Sequence, residues 1–472
     1  MPGSDGPPTL PSVSASRCLF TARLSCVGLL IVLLCAPSAA AGRPNVLVLT
    51  TDDQTVGQMD VMSSTNRLLA SDGTTFANAF VAFPQCCPSR ASFLSGQYPH
   101  NHGVAERFER EVDNYKVFDG RRALPVWLDR AGYETAHIGR YLNGYGRGEG
   151  RTEIPRGWGE WVAPVDHTDF KYYDYTLNVD GRLRDYGDAP SDYQTDVLAD
   201  FAVDYVERRA PKGRPFFLNV APVAPHRERR RECDVKRTPR PAPRHTDLFE
   251  GRTFPRTASF NEQDMSDKPA IYRVRDEVAE QCIDKGWRAE LESLQAVDEL
   301  VGRLVRSLRR AGEFEETLFV FTSDNGLMHG EHRLPFLKRV PYEESIRVPL
   351  IVHGPGFDGG TRNELVSNID LAPTILEQAN ARATARHVFD GRPLGSEPFR
   401  SDLLVEERGW SALRTPTGIY VEYMTGEREL YDLTTDPFQT DSLHENPDLE
   451  PLLRQLAERL DQVRDCRGAD CP

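Results

Sequence analysis

Five short apolar runs constrain this chain more than any other feature: NVLVLT (45–50), YETAHIG (133–139), PFFLNVA (215–221), TLFVFTS (317–323) and VPLIVHG (348–354). None alternates regularly between apolar and polar residues, which is the pattern of strands covered on both faces. Segments of helical character lie between them. DYQTDVLADFAVDYVERR (192–209) and RAELESLQAVDELVGRLVRSLRRAG (288–312) are long and amphipathic, with Gly312 as a stop signal. TTFANAF (74–80) is grouped with these helical segments. Strands alternating with helices predict an α/β fold, a large and mostly parallel sheet sandwiched by helices.

The pattern changes twice. A loop-rich insert, rich in Arg and Pro, spans about 227–276. After about Gly395, WSALRTP, GIYVEYMT and ELYDLTTDP read as short antiparallel strands, followed by a helix, LEPLLRQLAERLDQV. The main domain is therefore expected over 42–394. A smaller C-terminal α+β subdomain with an antiparallel sheet is expected over 395–472.

At the N-terminus, Arg17 and Arg23 precede the apolar run CVGLLIVLLCA and the small residues PSAAAG. This is the pattern of an export signal, residues 1–41, with cleavage after Ala41. The run is short for a membrane span, so the expectation is a secreted, extracellular protein of bacterial type with no membrane attachment after cleavage. The net charge of -14 argues against a general nucleic-acid binder. Export permits disulfides. Cys466 and Cys471 are spaced as a local clip, and Cys233 and Cys282 are candidates for a longer closure. Cys86 and Cys87 are adjacent and poorly placed to bond each other.

Two apolar runs end in oxygen donors: LTTDDQ supplies Asp52 and Asp53, and FTSDNG supplies Asp324 and Asn325. Ligands of open α/β sheets bind at the carboxyl ends of strands. Three carboxylates gathered there repel one another unless a cation lies between them, and hard oxygen donors suit Ca²⁺ or Mg²⁺. The third motif is Cys86-Cys87-Pro88-Ser89-Arg90. Pro88 suits the first turn of a helix running to Gly96. Cys86 is expected just before that helix, where free N–H groups favour an anion, with Arg90 reaching the same anion.

In these residues the chain resembles the type I, formylglycine-dependent sulfatases, whose Cys-x-Pro-Ser-Arg signature matches Cys86, Pro88, Ser89 and Arg90. PHNHG (99–103) and YLNGYG (141–146) look most like the N-acetylglucosamine-6-sulfatase and heparan endosulfatase branch. The resemblance implies an alkaline-phosphatase-like fold. It implies that a formylglycine-generating enzyme oxidises Cys86 to 3-oxoalanine (formylglycine). Asp52, Asp53, Asp324, Asn325 and the modified Cys86 would ligate Ca²⁺, with Mg²⁺ as the alternative. Arg90 would hold the formylglycine hydrate, Lys338 would contact the sulfate, and His226 would lie near the leaving-group oxygen, with His102 as an additional site residue. Arg140 stands where the family carries lysine, and Leu142 where many members carry histidine. Asn143, His102 and His332 are the candidates to replace that histidine.

The function implied is hydrolysis of sulfate esters on sulfated amino sugars such as N-acetylglucosamine 6-sulfate, the substrate being a sulfated sugar or an aryl sulfate. Three alternatives remain: an arylsulfatase of other specificity, a phosphatase or phosphodiesterase of the same superfold, and an unmodified glycan-binding homologue.

Overall fold

Val46, Leu47, Val48 and Leu49 are all fully buried, so β1 (Asn45–Thr51) is covered on both faces. A computed structural model describes residues 42–104, 114–228 and 238–472. The export-signal reading of 1–41, Cys233 and most of the RERRRE run fall outside those residues. The remaining strands of the large sheet are β2 (Thr74–Phe80), β3 (Glu134–Gly139), β4 (Glu160–Pro164), β5 (Tyr175–Val179), β6 (Arg182–Tyr186), β7 (Phe216–Ala221), β8 (Thr317–Ser323), β9 (Leu350–His353) and β10 (Gly360–Ser367). Their spatial order is β10-β2-β9-β8-β1-β7-β3-β4-β5-β6. The central run from β8 to β4 is parallel throughout, and β9, β5 and β6 join it antiparallel. All five apolar runs lie in this sheet.

TTFANAF is β2, not a helical segment. Buried Thr74 and Phe76 alternate with half-buried Thr75 and Ala77, but the alternation stops at half-buried Asn78. The β-branched Thr74 and Thr75 also favour extended backbone. Its partners, β9 and β10, come from nearly three hundred residues further on, beyond the reach of any local pattern.

Successive β1 side chains enter opposite cores. Leu47 and Leu49 join Leu218, Val220 and Phe319 beneath the long helices Gln194–Arg209 and Glu280–Ala311. Val46 and Val48 join Phe217 and Leu318 beneath α1 (Cys86–Ser95), α2 (Leu124–Arg130) and α3 (Leu371–Gln378). The described part of the insert carries single helical turns such as Ala270–Arg273.

A second sheet, antiparallel, follows: β11 (Leu403–Glu407), β12 (Trp410–Arg414), β13 (Gly418–Tyr423) and β14 (Arg428–Asp432) in sequential order. Leu404, Leu413 and Tyr420 pack under Leu453, Leu460 and Val463 of α4 (Glu450–Val463). Val405, Ala412 and Val421 pack against Phe80, Tyr342 and Ile346. Cys466 is bonded to Cys471 as expected. Cys282 is disulfide-bonded, while the partner suggested for it, Cys233, lies outside the described residues.

The turn after α1 is tied to this second sheet. His100 Nδ1 meets Glu406 Oε2 at 2.8 Å, and His100 Nε2 meets the Cys466 carbonyl at 2.8 Å. Burial opposes charge on the ring, but Glu406 and that carbonyl outweigh it and lift its pKa to about 9. The folded value lies above the unfolded one. The stabilisation is therefore complete below about pH 6.5 and is lost as pH rises through about 9. His100→Gln should cost most stability at pH 6 and progressively less towards pH 10, as read by denaturant unfolding at each pH. A cost that does not vary with pH would contradict this assignment.

Candidate active site

The pairing of β1 with β8 sets Thr51 opposite Ser323, so the residues that follow, Asp52 and Asp324, leave the sheet side by side. The chain then turns sharply. Asp53 adopts φ 71, a left-handed conformation that Asp tolerates better than most residues. Its backbone N–H donates to Asp324 Oδ1 at 3.2 Å. On the other side of β1, the register of β3 with β7 sets Gly139 opposite Ala221. A Cβ at Gly139 would lie 2.1 Å from the Ala221 carbonyl oxygen, so only glycine lets β3 end here and deliver Arg140. His226 enters from the loop after β7.

Cys86 is the first residue of α1, with Gln85 extended as its N-cap, rather than the residue before the helix. Cys86 and Arg90 are four apart and share one face. That face meets the strand ends. Arg90 Nε donates to Asp324 Oδ2 at 2.8 Å, Nη2 to Asp52 Oδ2 at 3.0 Å and Nη1 to the Arg140 carbonyl at 2.8 Å. Arg140 Nη1 donates to Asp52 Oδ2 and its Nη2 to Asn143 Oδ1. Lys338 Nζ donates to Asp53 Oδ1 and lies 2.8 Å from Cys86 Sγ. Sγ is also 3.4 Å from Asp52 Oδ1. His226 Nε2 lies 3.5 Å from Asp53 Oδ2, while its Nδ1 meets the Arg227 carbonyl at 2.6 Å.

These charges set one another's ionisation. Burial resists charge on Asp52, but Arg140, His226, Arg90 and Lys338 overcome it and hold the carboxyl below its usual range. Asp53 is lowered against burial by Lys338 and His226. Asp324 is pushed up to about 6 by burial and the neighbouring Asp52. Burial and Asp52 push the Cys86 thiol up to about 12. Burial lowers His226 to about 4, although Asp53 and Asp52 pull the other way. Lys338 is held charged against burial, chiefly by Asp53.

Single ligand atoms of Asp52, Asp53, Cys86 and His226 lie within 4.8 Å of one another. Asn325 Nδ2 donates to Asp53 Oδ1 at 2.7 Å, yet its Oδ1 is buried without a hydrogen-bond partner. A buried acceptor left unmatched among three carboxylates is what a cation site requires. The donor set therefore fits a hard divalent cation.

Of the residues named from sequence, Asp52, Asp53, Cys86, Arg90, Arg140, His226, Asp324, Asn325 and Lys338 converge here. His102 does not. Its Nε2 meets Ser92 Oγ at 3.0 Å, and Ser92, two residues past Arg90, lies on the side of α1 turned away from the strand ends. His332 is likewise elsewhere, bonded to Glu262 at 2.5 Å. Asn143 reaches the site through Arg140. Sequence reasoning missed Phe170, whose ring lies 4.0 Å from the Arg140 guanidinium and 4.5 Å from the His226 ring. Nothing in the DHTDF stretch around it signals that role.

A family model described as Sulfatase matches residues 44–381. The chain is similar to the N-acetylglucosamine-6-sulfatase of Homo sapiens, 33% identical over 494 residues, spanning 92% of this chain and 87% of that protein. It is also similar to a putative extracellular sulfatase, the Sulf-1 homolog of Caenorhabditis elegans. Those two are 35% identical over 404 residues, which span 80% of this chain but 54% of that protein. One solved structure holds its protein in complex with its substrate, D-glucosamine-2-N,6-O-disulfate. It matches with a TM-score of 0.72 at 24% identity, covering 89% of this chain and 97% of that one. That likeness is one of fold.

Excess Ca²⁺ or Mg²⁺ should raise the unfolding free energy of the wild type. The gain at one hundred times Kd is about 2.7 kcal/mol. Asp53→Asn should lose most of that gain. Thermal unfolding with and without chelator measures both, and equal gains in the two proteins would contradict the ligand assignment.

Proposed function

The chain belongs to the sulfatase family and is a sulfuric ester hydrolase, and on that premise we propose that it removes sulfate from sulfated amino sugars such as N-acetylglucosamine 6-sulfate after export from the cell. The observation that carries the reading is the gathering of Arg90, Arg140 and Lys338 on the three buried carboxylates Asp52, Asp53 and Asp324, with Lys338 also meeting Cys86 Sγ. Names borne by relatives support the substrate class. The human relative is an N-acetylglucosamine-6-sulfatase, and the solved relative binds a 6-O-sulfated glucosamine.

Cys86 as a thiol is a poor nucleophile here, because burial and Asp52 keep it protonated. Oxidised to formylglycine by a formylglycine-generating enzyme, position 86 would supply a hydrated aldehyde: one hydroxyl attacks sulfur, and loss of the proton from the second then expels sulfate and restores the aldehyde. A Ca²⁺ ion held by Asp52, Asp53, Asp324, Asn325 and the modified residue would supply positive charge for that attack. Mg²⁺ is the alternative metal.

The chain's own residues do the rest. Arg90 fixes Asp52 and Asp324 while facing the group at 86. Lys338 and Arg140 offset charge on the sulfate oxygens as the ester breaks. Once its ring is protonated, His226 can donate from Nε2 to the departing alcohol oxygen, its Nδ1–H being committed to the Arg227 carbonyl. Lys338 is the weaker donor, because Asp53 holds it charged. An anionic ester bound beside His226 favours the charged ring, opposing the lowering that burial imposes. A phosphatase of the same superfold would call for Ser or Thr at the nucleophile position, and position 86 is cysteine.

The test is sulfate release from N-acetylglucosamine 6-sulfate and an aryl sulfate by protein produced with a formylglycine-generating enzyme. Cys86→Ala should abolish turnover, and Lys338→Ala should lower kcat by about 10²–10³-fold. Cys87→Ser should leave turnover within a few fold of wild type. Undiminished release by Cys86→Ala would refute the mechanism, and release from the aryl ester alone would refute the substrate class.

A further inference from the structure

We propose that Phe170 is a positioning residue, one ring that holds the sulfate-binding Arg140 and the proton-donating His226 in a fixed relation. The inference rests on the functional reading above. Each of those side chains keeps a freedom that its hydrogen bonds do not remove. Arg140 is tied at Nη1 and Nη2, but its Nε is buried with no hydrogen-bond partner, and Asp169 is 3.9 Å away, beyond hydrogen-bond range. His226 is tied at Nδ1 alone, because Nε2 to Asp53 is 3.5 Å. The ring of Phe170 supplies the missing constraint on both. The Arg140 guanidinium lies over it at 4.0 Å, a cation–π contact, and the His226 ring packs against it at 4.5 Å with a tilt of 35°.

Phe170 can bear this role because its own loop is fixed. The segment between β4 and β5 is closed by Thr168 N–H to the Val165 carbonyl and Lys171 N–H to the Thr168 carbonyl, both at 3.1 Å. The half-buried ring packs on the core formed with helix Glu280–Ala311. The arrangement also explains how arginine serves at position 140. Its planar guanidinium offers a face to an aromatic ring, which the ammonium of lysine does not match.

Phe170→Leu keeps the bulk and removes the aromatic face. The experiment uses the formylglycine-containing enzyme with a series of aryl sulfates whose leaving phenols rise in pKa, and inorganic sulfate as a competitive inhibitor. We expect kcat/KM to fall by about 10–100-fold, sulfate inhibition to weaken, and the dependence on leaving-group pKa to steepen. The first effect on sulfate reports Arg140, and the steeper slope reports His226. In an Arg140→Lys background, Phe170→Leu should no longer change sulfate inhibition. A uniform fall across the series with unchanged sulfate inhibition would overturn the proposal and leave Phe170 a packing residue, and so would no change at all. A formylglycine-containing wild type that hydrolyses none of the esters would instead overturn the functional reading, and this inference with it.

Discussion

Arg90 is the clasp on which the site depends. One guanidinium joins Asp52 after β1, Asp324 after β8 and the Arg140 carbonyl after β3, so three strand ends are tied to one turn of α1. Every partner is buried. Removing one member of such a group strands a buried charge, at a cost of about 3–5 kcal/mol. The clasp also fixes where position 86 must be. Four residues before Arg90 on the same helical face, Cys86 has no other place than between Asp52 and Lys338.

The charges around that clasp explain the preference for an anion. Asp52, Asp53 and Asp324, with Asp169 3.9 Å from Arg140, carry four negative charges against three positive ones on Arg90, Arg140 and Lys338. Adding a divalent cation turns this into a formal excess of one positive charge, inside a chain whose net charge is -14. A small anion is drawn to that point and not to the surface at large. The raised value of Asp324, about 6, shows how much burial and Asp52 already press on the third carboxylate, even with Arg90 beside it. A cation relieves that pressure.

Much of this was legible in the sequence because the relevant signals were local. The apolar runs that became β1, β3, β7, β8 and β9 needed no knowledge of their partners, and the oxygen donors at two of their ends marked the site. Pro88 marks the helix that carries Arg90, while the role of position 86 comes from the resemblance to the sulfatases, and Cys86 lies in the first turn of that helix instead of before it. What stayed hidden depended on distant partners. TTFANAF became β2 because β9 and β10 flank it, and its short run carries too little period of its own to declare a strand. His102 is a site residue only by what the resemblance implies, and α1 turns the face bearing Ser92, its partner, away from the carboxylates. Phe170 has no motif at all. Its importance comes from a loop between two strands folding back over Arg140 and His226.

The central claim is that position 86 acts as an oxidised cysteine at the focus of this charge cluster. The most direct measurement is peptide mass analysis of the tryptic segment ending at Arg90, set against specific activity across preparations made with graded amounts of a formylglycine-generating enzyme. The account predicts that Cys86, and not Cys87, carries the aldehyde or its hydrate, and that activity rises in proportion to the modified fraction. Full activity in protein whose Cys86 remains a thiol would contradict it.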